Sequence, residues 1–114
     1  MRSPKVPIAI CFTTLAVSQD RADKIVRAWA RDSGIPSDEM TLNVVSGTQG
    51  GKRYAAMAWL YLPTLWPASD AEALTIGLAR SLAGVLDLPS DQVLVVRTGV
   101  ESGSVVDGGT PVHW

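Results

Sequence analysis

The residues able to do chemistry are few in this 114-residue chain, and their types exclude more than they suggest. His113 is the only histidine and Cys11 the only cysteine. A catalytic triad or a zinc centre built on imidazole and thiolate therefore lacks parts, and no disulfide forms within one chain. Cys11 stands in Ile10-Cys11-Phe12, the apolar setting of an inert buried thiol rather than of an ionised nucleophile. His113 precedes Trp114, a position that suits a solvated tail better than a general base. Glu101 and Asp107 fall among glycines, where turn chemistry is the first reading and acid–base work the second. The run Ser46-Gly47-Thr48-Gln49-Gly50-Gly51-Lys52-Arg53 invites comparison with a phosphate-binding loop. Only Thr48 and Gln49 separate its glycines where four residues are needed, and Arg53 stands where Ser or Thr holds magnesium. It reads as a flexible connector. No metal and no organic cofactor is expected.

Composition narrows the classes further. Lys plus Arg number 10 and Asp plus Glu 11, for a formal net charge of −1. That balance gives no basic footprint for nucleic acid and no acidic tail. Apolar residues make up 46% and charged residues only 18%, below the roughly 25% of an ordinary soluble domain. A small domain so poor in charge hides surface in an oligomer. No apolar run reaches the ~20 residues of a membrane span. The apolar stretch after Arg2 and Lys5 resembles a secretion signal, but its removal would delete the first strand of a repeated unit, so the cytoplasm is the expected compartment.

The elements that position these residues come in two copies. Ile35-Pro36-Ser37-Asp38-Glu39-Met40 reappears as Leu88-Pro89-Ser90-Asp91-Gln92-Val93, an offset of 53 residues. The same offset aligns Ile25 with Leu78 and Trp29 with Leu82. Each half reads strand, helix, Pro-Ser-Asp turn, strand, so the fold class is α/β (α+β), a duplicated βαβ unit. Repeat one covers about 6–46, the linker 47–54, repeat two about 55–99 and a hairpin tail 100–114, in one domain.

Val6 to Phe12 reads as a strand buried on both faces, with Pro7 confined to its start because proline cannot donate to a ladder. Ser18 is the expected cap of a helix that Gly34 ends, with Ala22, Ile25, Val26 and Trp29 on its core face. Strands are expected over Thr41–Val45, Ala56–Leu62 and Gln92–Thr98. Ser69 or Asp70 is the expected cap of the second helix, whose core face carries Leu74, Leu78, Leu82, Val85 and Leu86. Its small stripe of Ala73, Gly77, Ser81 and Gly84 has two readings, a close helix contact or a tolerated surface. Asp107-Gly108 is the expected hairpin turn, and Trp114 has no evident seat in its own chain. Four strands with two helices on one face leave the other face bare, and a closed trimer would cover it.

The strand opening Pro7-Ile8-Ala9, the Leu-Pro-Ser-Asp-Gln-Val turn at Leu88–Val93 and the two-repeat length resemble the tautomerase superfamily. The likeness runs from Pro7 to Val106 and points to the two-repeat branch typified by macrophage migration inhibitory factor. The resemblance implies a trimer of βαβ duplicates around a barrel-like core of sheets. It also implies a base made from an N-terminal proline, whose amine is held neutral by an apolar pocket and moves a proton between enol and keto forms. Relatives assist decarboxylation or dehalogenation of small acids, with cationic side chains holding the carboxylate.

This chain departs from that pattern. The matching proline, Pro7, is preceded by six residues, and a proline nitrogen inside a chain is a non-basic amide; Pro7 is catalytic only if exposed as an N-terminus. Ile35 stands where relatives carry lysine, Leu94 and Val96 where they carry tyrosine and asparagine, and Thr41 where single-repeat relatives carry arginine. The cations considered for a carboxylate are Lys5, Lys52, Arg53, Arg97 and His113. Arg97 interrupts the Leu94-Val95-Val96 run near a strand end, which suits an ion pair or an oxyanion site.

Three readings stand. The first is a tautomerase-fold protein with impaired or absent proline chemistry that binds small keto acids or carboxylates. The second is an active tautomerase or lyase using a processed Pro7 or a substitute base. The third is a ferredoxin-like metabolite-binding module with the same element order.

Overall fold

The computed structural model describes residues 6–114, so Lys5 lies outside the described residues. Four strands form one sheet: β1 (Ile8–Thr13), β2 (Thr41–Ser46), β3 (Ala56–Pro63) and β4 (Val93–Val100). Two helices, α1 (Gln19–Ser33) and α2 (Ala68–Leu86), link β1 to β2 and β3 to β4. The sheet order is β2-β1-β3-β4. Within each half the strands run parallel, Cys11 opposite Val44 and Ala58 opposite Val95. The halves meet antiparallel, Ile10 opposite Trp59. The architecture is therefore a duplicated βαβ unit with a four-stranded mixed sheet. A ferredoxin-like module inserts a strand between the parallel pair of its split βαβ; here each pair is adjacent, and that reading is overturned.

The caps explain where α1 lies. Ser18 Oγ accepts the Arg21 N–H at 3.2 Å, satisfying one of the orphan donors of the first turn. Gly34 closes the helix in the left-handed conformation (φ 72°) and donates to the Ala30 carbonyl at 2.8 Å. The start of α2 differs from expectation. Neither Ser69 nor Asp70 caps it; the helix begins at Ala68 behind Pro67, whose φ of −57° is already helical and whose carbonyl accepts the Ala71 N–H at 2.9 Å. The two Pro-Ser-Asp segments each fold into a single 3₁₀ turn, Ser37–Glu39 and Ser90–Gln92. In both, the proline is extended and the residue after the turn enters the next strand with extended backbone, which moves the start of β4 to Val93.

Both helices cover the same sheet face. Ile25 and Trp29 of α1 and Leu74, Leu78, Leu82 and Leu86 of α2 are buried against Ala9, Cys11, Ala58 and Leu60. Small strand residues let large helical ones approach. The Trp29 indole N–H donates to the Leu74 carbonyl at 3.0 Å, so even the polar atom of the largest buried side chain is satisfied. Gly77 is the point of closest helix approach: a Cβ there would lie 2.5 Å from Asp32 Oδ2 and 3.5 Å from Trp29 Cδ1. The small stripe divides accordingly, Gly77 and Ser81 at the contact and Ala73 and Gly84 at the surface.

Burial on both faces of β1 does not occur within the chain. Ala9, Cys11 and Thr13 are sealed under the helices, whereas Ile8 and Phe12 are 37% and 42% exposed. The period-two geometry of a strand sends alternate residues to opposite faces, and this chain has helices for only one. The open face carries three registered rows: Val45–Phe12–Met57–Leu94, Asn43–Ile10–Trp59–Val96 and Thr41–Ile8–Tyr61–Thr98. Phe12 and Trp59 meet edge to face with ring centroids 5.5 Å apart.

The tail is a second, two-stranded sheet of β5 (Val105–Asp107) and β6 (Thr110–Val112). Its turn is Gly108-Gly109, one residue later than expected. Both glycines have positive φ (60° and 83°), as a two-residue hairpin with a primed turn requires, and Asp107 pairs with Thr110 instead of entering the turn. Trp114 is not left without a seat: its indole N–H donates to Thr64 Oγ1 at 3.2 Å and its backbone N–H to Ser102 Oγ at 2.7 Å.

Candidate functional site

Parallel pairing within each half puts the starts of β1 and β2 beside the ends of β3 and β4, at one end of the sheet. The β5–β6 hairpin folds back over that end and encloses a groove of about 880 Å³ with the open sheet face. Its sheet wall is Val6, Ile8, Thr41, Tyr61, Pro63 and Val100, and its hairpin wall runs from Val105 to Trp114.

The hairpin is held in place by named bonds. Gly103 N–H donates to the Val112 carbonyl at 2.9 Å, and Trp114 reaches Thr64 and Ser102 as above. Thr64 in turn donates its N–H to the Val100 carbonyl at 3.0 Å, tying the loop after β3 to the end of β4. The His113 ring lies over Gly103, where an added Cβ would sit 3.1 Å from its Cε1; a φ of 86° at Gly103 brings the backbone that close.

The residues singled out by sequence do not gather in one place. His113 lines the groove. Pro7 is fully buried between two lining residues, Val6 and Ile8, and its carbonyl accepts the Thr41 N–H at 3.1 Å. Arg97 lies on the helical side of the sheet, where its guanidinium donates to Thr75 Oγ1 of α2 at 3.0 Å. Strand parity explains this: Val93, Val95 and Arg97 alternate onto one face, and Val93 and Val95 pack against the core. Lys52 and Arg53 sit in the linker at the far end of the sheet, with Lys52 Nζ 5.3 Å from the Tyr54 ring centroid. Gln49 clamps that linker, donating to the Tyr54 carbonyl and accepting the Tyr54 N–H, both at 2.9 Å.

Asp107, read from sequence as a turn residue, lines the groove instead, while Glu101 is exposed before the hairpin. Of the positions where relatives carry polar groups, Thr41 lies in the groove, Leu94 and Val96 on the open face, and Ile35 against the core. Cys11 is sealed on the opposite sheet face, and burial pushes its thiol from 9.0 up to about 11, so at neutral pH it is an unreactive thiol. Sequence reasoning missed Tyr61, Val100, Val105 and Trp114 as groove residues. The Gly108-Gly109 hairpin signal was readable, but nothing in it says which end of the sheet the hairpin covers.

The groove presents apolar walls with a few polar side chains among them, the Tyr61 phenol, the His113 imidazole and the Thr41 and Thr110 hydroxyls. Among the described residues, no group of three or more His, Cys, Asp or Glu side chains comes together as a metal site. No helix among them is long and apolar enough to cross a membrane.

No protein-family model and no curated protein matches the sequence. Solved structures do match the fold. A fused 4-OT, solved as an asymmetric trimer, superposes with a TM-score of 0.75 at 19% identity, over 91% of this chain and 94% of that one. The MIF2 protein of Leishmania major gives 0.73 at 14% identity, over 94% and 97%. N1, a member of the cis-3-chloroacrylic acid dehalogenase family, gives 0.69 at 16% identity, over 92% and 82%. With two βαβ units, one mixed sheet and helices on one face in common, this chain has the fold of the tautomerase superfamily.

Proposed function

We propose that this chain is a tautomerase-superfamily protein whose proline-based keto–enol activity is silent in the chain as it stands, with a groove retained for small keto acids and related carbonyl compounds. One observation carries the reading. The groove sits at the head of β1, flanked by Val6 and Ile8, while Pro7 between them is buried with its nitrogen acylated by Val6. An amide nitrogen has its lone pair in resonance with the carbonyl and takes no proton near neutral pH. In this reading the pocket is kept and the base is not.

The working unit in this proposal is one domain of 114 residues in a homotrimer, each open sheet face covered by two others. The apolar rows of that face, with Val96 41% exposed beside Trp59, support it, as does the trimer recorded for the fused 4-OT. Lys52, Arg53 and Arg97 lie outside the groove of their own subunit and reach a ligand in this scheme only across a subunit boundary. The cytoplasm is the compartment we assign, on the reading that the apolar run over β1 is a strand of the fold and not a signal.

The test is enol-to-keto conversion of phenylpyruvate by two forms, the 114-residue chain and a form beginning at Pro7. The reading expects no turnover above background from the first and turnover from the second. Equal turnover by both overturns it and makes His113 the first residue to replace.

A further inference from the structure

The hydroxyl groups of the groove are not equally placed to hold a ligand. In the outer row of the open face, Ile8 has Thr41 on one side and Tyr61 on the other. Thr41 is exposed on the edge strand β2, whereas Tyr61 is half-buried on β3, inside the sheet. Thr110 is exposed on the hairpin. A donor partly screened from water makes the stronger hydrogen bond. The phenol is also free to make one. Among the described residues none bonds the Tyr61 hydroxyl, in contrast to Trp29, whose polar atom is taken by the Leu74 carbonyl. Strand register then fixes where that hydroxyl stands. Tyr61 pairs with Ile8, the residue after Pro7, and Val6 on the other side of Pro7 lines the groove as well. Removal of residues 1–6 would therefore free the Pro7 nitrogen at the place Val6 now lines. A ligand seated there has Tyr61 as its donor from the neighbouring strand.

We infer that the Tyr61 phenol recognises the ketone oxygen of the bound keto acid and stabilises the charge that builds on it when the proton moves. The inference rests on the groove being the keto-acid site proposed above. In the form with a free Pro7 amine, the amine takes a proton from the carbon beside the carbonyl, and the C–H electron pair becomes the C=C bond of an enolate. Negative charge passes to the oxygen, and the Tyr61 O–H donates to it there. The enolate oxygen then takes a proton from water and the prolinium returns one, so the enol forms with no net change in protons. In the full chain, where Pro7 is an amide, the same hydroxyl still donates to the ketone oxygen.

The experiment pairs phenylpyruvate with 3-phenylpropionate, two acids that share the ring and the carboxylate and differ in the ketone. Both are titrated by calorimetry into the full chain and into Tyr61→Phe, which keeps the ring and removes only the hydroxyl. The variant is expected to bind phenylpyruvate about three- to tenfold more weakly and phenylpropionate unchanged. No loss, or an equal loss for both acids, overturns the inference while leaving the groove a ligand site. Failure of the wild type to bind either acid overturns the inference together with the function it rests on. Kinetics of the form beginning at Pro7 give a second readout. There Tyr61→Phe should lower kcat for phenylpyruvate at least about tenfold while KM moves much less, as for a contact that strengthens in the transition state. An unchanged kcat in an active trimmed form overturns the inference alone, and a silent trimmed form overturns the proposed function and this step with it.

Discussion

The two faces of the sheet are built from the same strands, yet they meet different fates. On the helical face four of the β1 and β3 residues are small, Ala9, Cys11, Ala56 and Ala58, beside the larger Leu60 and Leu62, and Trp29, Leu74, Leu78 and Leu82 fill the space above them. On the open face the central strand residues are all large, Ile8, Ile10, Phe12, Met57, Trp59 and Tyr61. Where the strand residues are small, the chain's own helices deliver the filling. A face made of large residues is ready to meet another sheet directly, as sheets do when their side chains interdigitate. The contrast shows why the low charge content pointed to assembly: half of the apolar sheet surface is spent inside the chain and half is kept for outside.

Substitutions separate the two faces by size of effect. Trp29→Ala should be the most damaging, because it empties the largest buried side chain and removes the indole bond to the Leu74 carbonyl. A loss of about 3–5 kcal/mol in denaturant unfolding is expected. Gly77→Leu comes next, at about 1–3 kcal/mol, since a long side chain is forced between α2 and the Trp29 edge. Gly77→Ala should be mild by comparison, because the atom nearest its Cβ is the end of the exposed Asp32 side chain, which can turn away.

Cys11 gives the helical face a pH signature. Its thiol ionises at 9.0 when free and at about 11 when folded, so the unfolded chain releases the proton first as pH rises. The stability tied to the protonated thiol is complete below pH 9 and is lost as pH climbs toward 11. Comparing unfolding midpoints of the wild type and Cys11→Ala across that window isolates this part of the decline, and parallel curves would contradict it. The smallest effect belongs to the hairpin. Thr64→Val removes the acceptor of the Trp114 indole bond, at the surface, and should cost about 0.5–1.5 kcal/mol. Its informative readout is the groove: faster amide exchange over 105–112 with the main sheet unchanged.

Much of this fold was legible because local chemistry and global packing agree. Ser18 and Gly34 bracket α1 as capping rules require, and Ile25 and Trp29 point inward as their spacing says. The two Pro-Ser-Asp segments share one conformation because they share one sequence pattern. The misread places are those where the deciding partner is distant in sequence. Alternation along β1 was obscured because both of its faces are apolar, and only the count of helices shows that one lacks a cover. The start of α2 is set by Pro67 rather than by a hydroxyl or carboxylate. Trp114 and Thr64 meet through a 50-residue separation that no local pattern encodes. The site was less legible for the same reason. Arg97 was assigned no face, although counting in twos from Val93 and Val95 puts it under α2. The groove itself exists only because the tail returns to the end of the sheet where both halves open.

The central claim is that the open face belongs to a trimer, and sedimentation equilibrium on the wild type beside Trp59→Lys tests it most directly. Trp59 lies in the middle row of that face and away from the helices, so the lysine should leave the chain folded by circular dichroism. The account predicts a wild-type mass three times the 12.1 kDa of the chain and a single-chain mass for the variant. A wild type that sediments as a monomer or a stable dimer would contradict it.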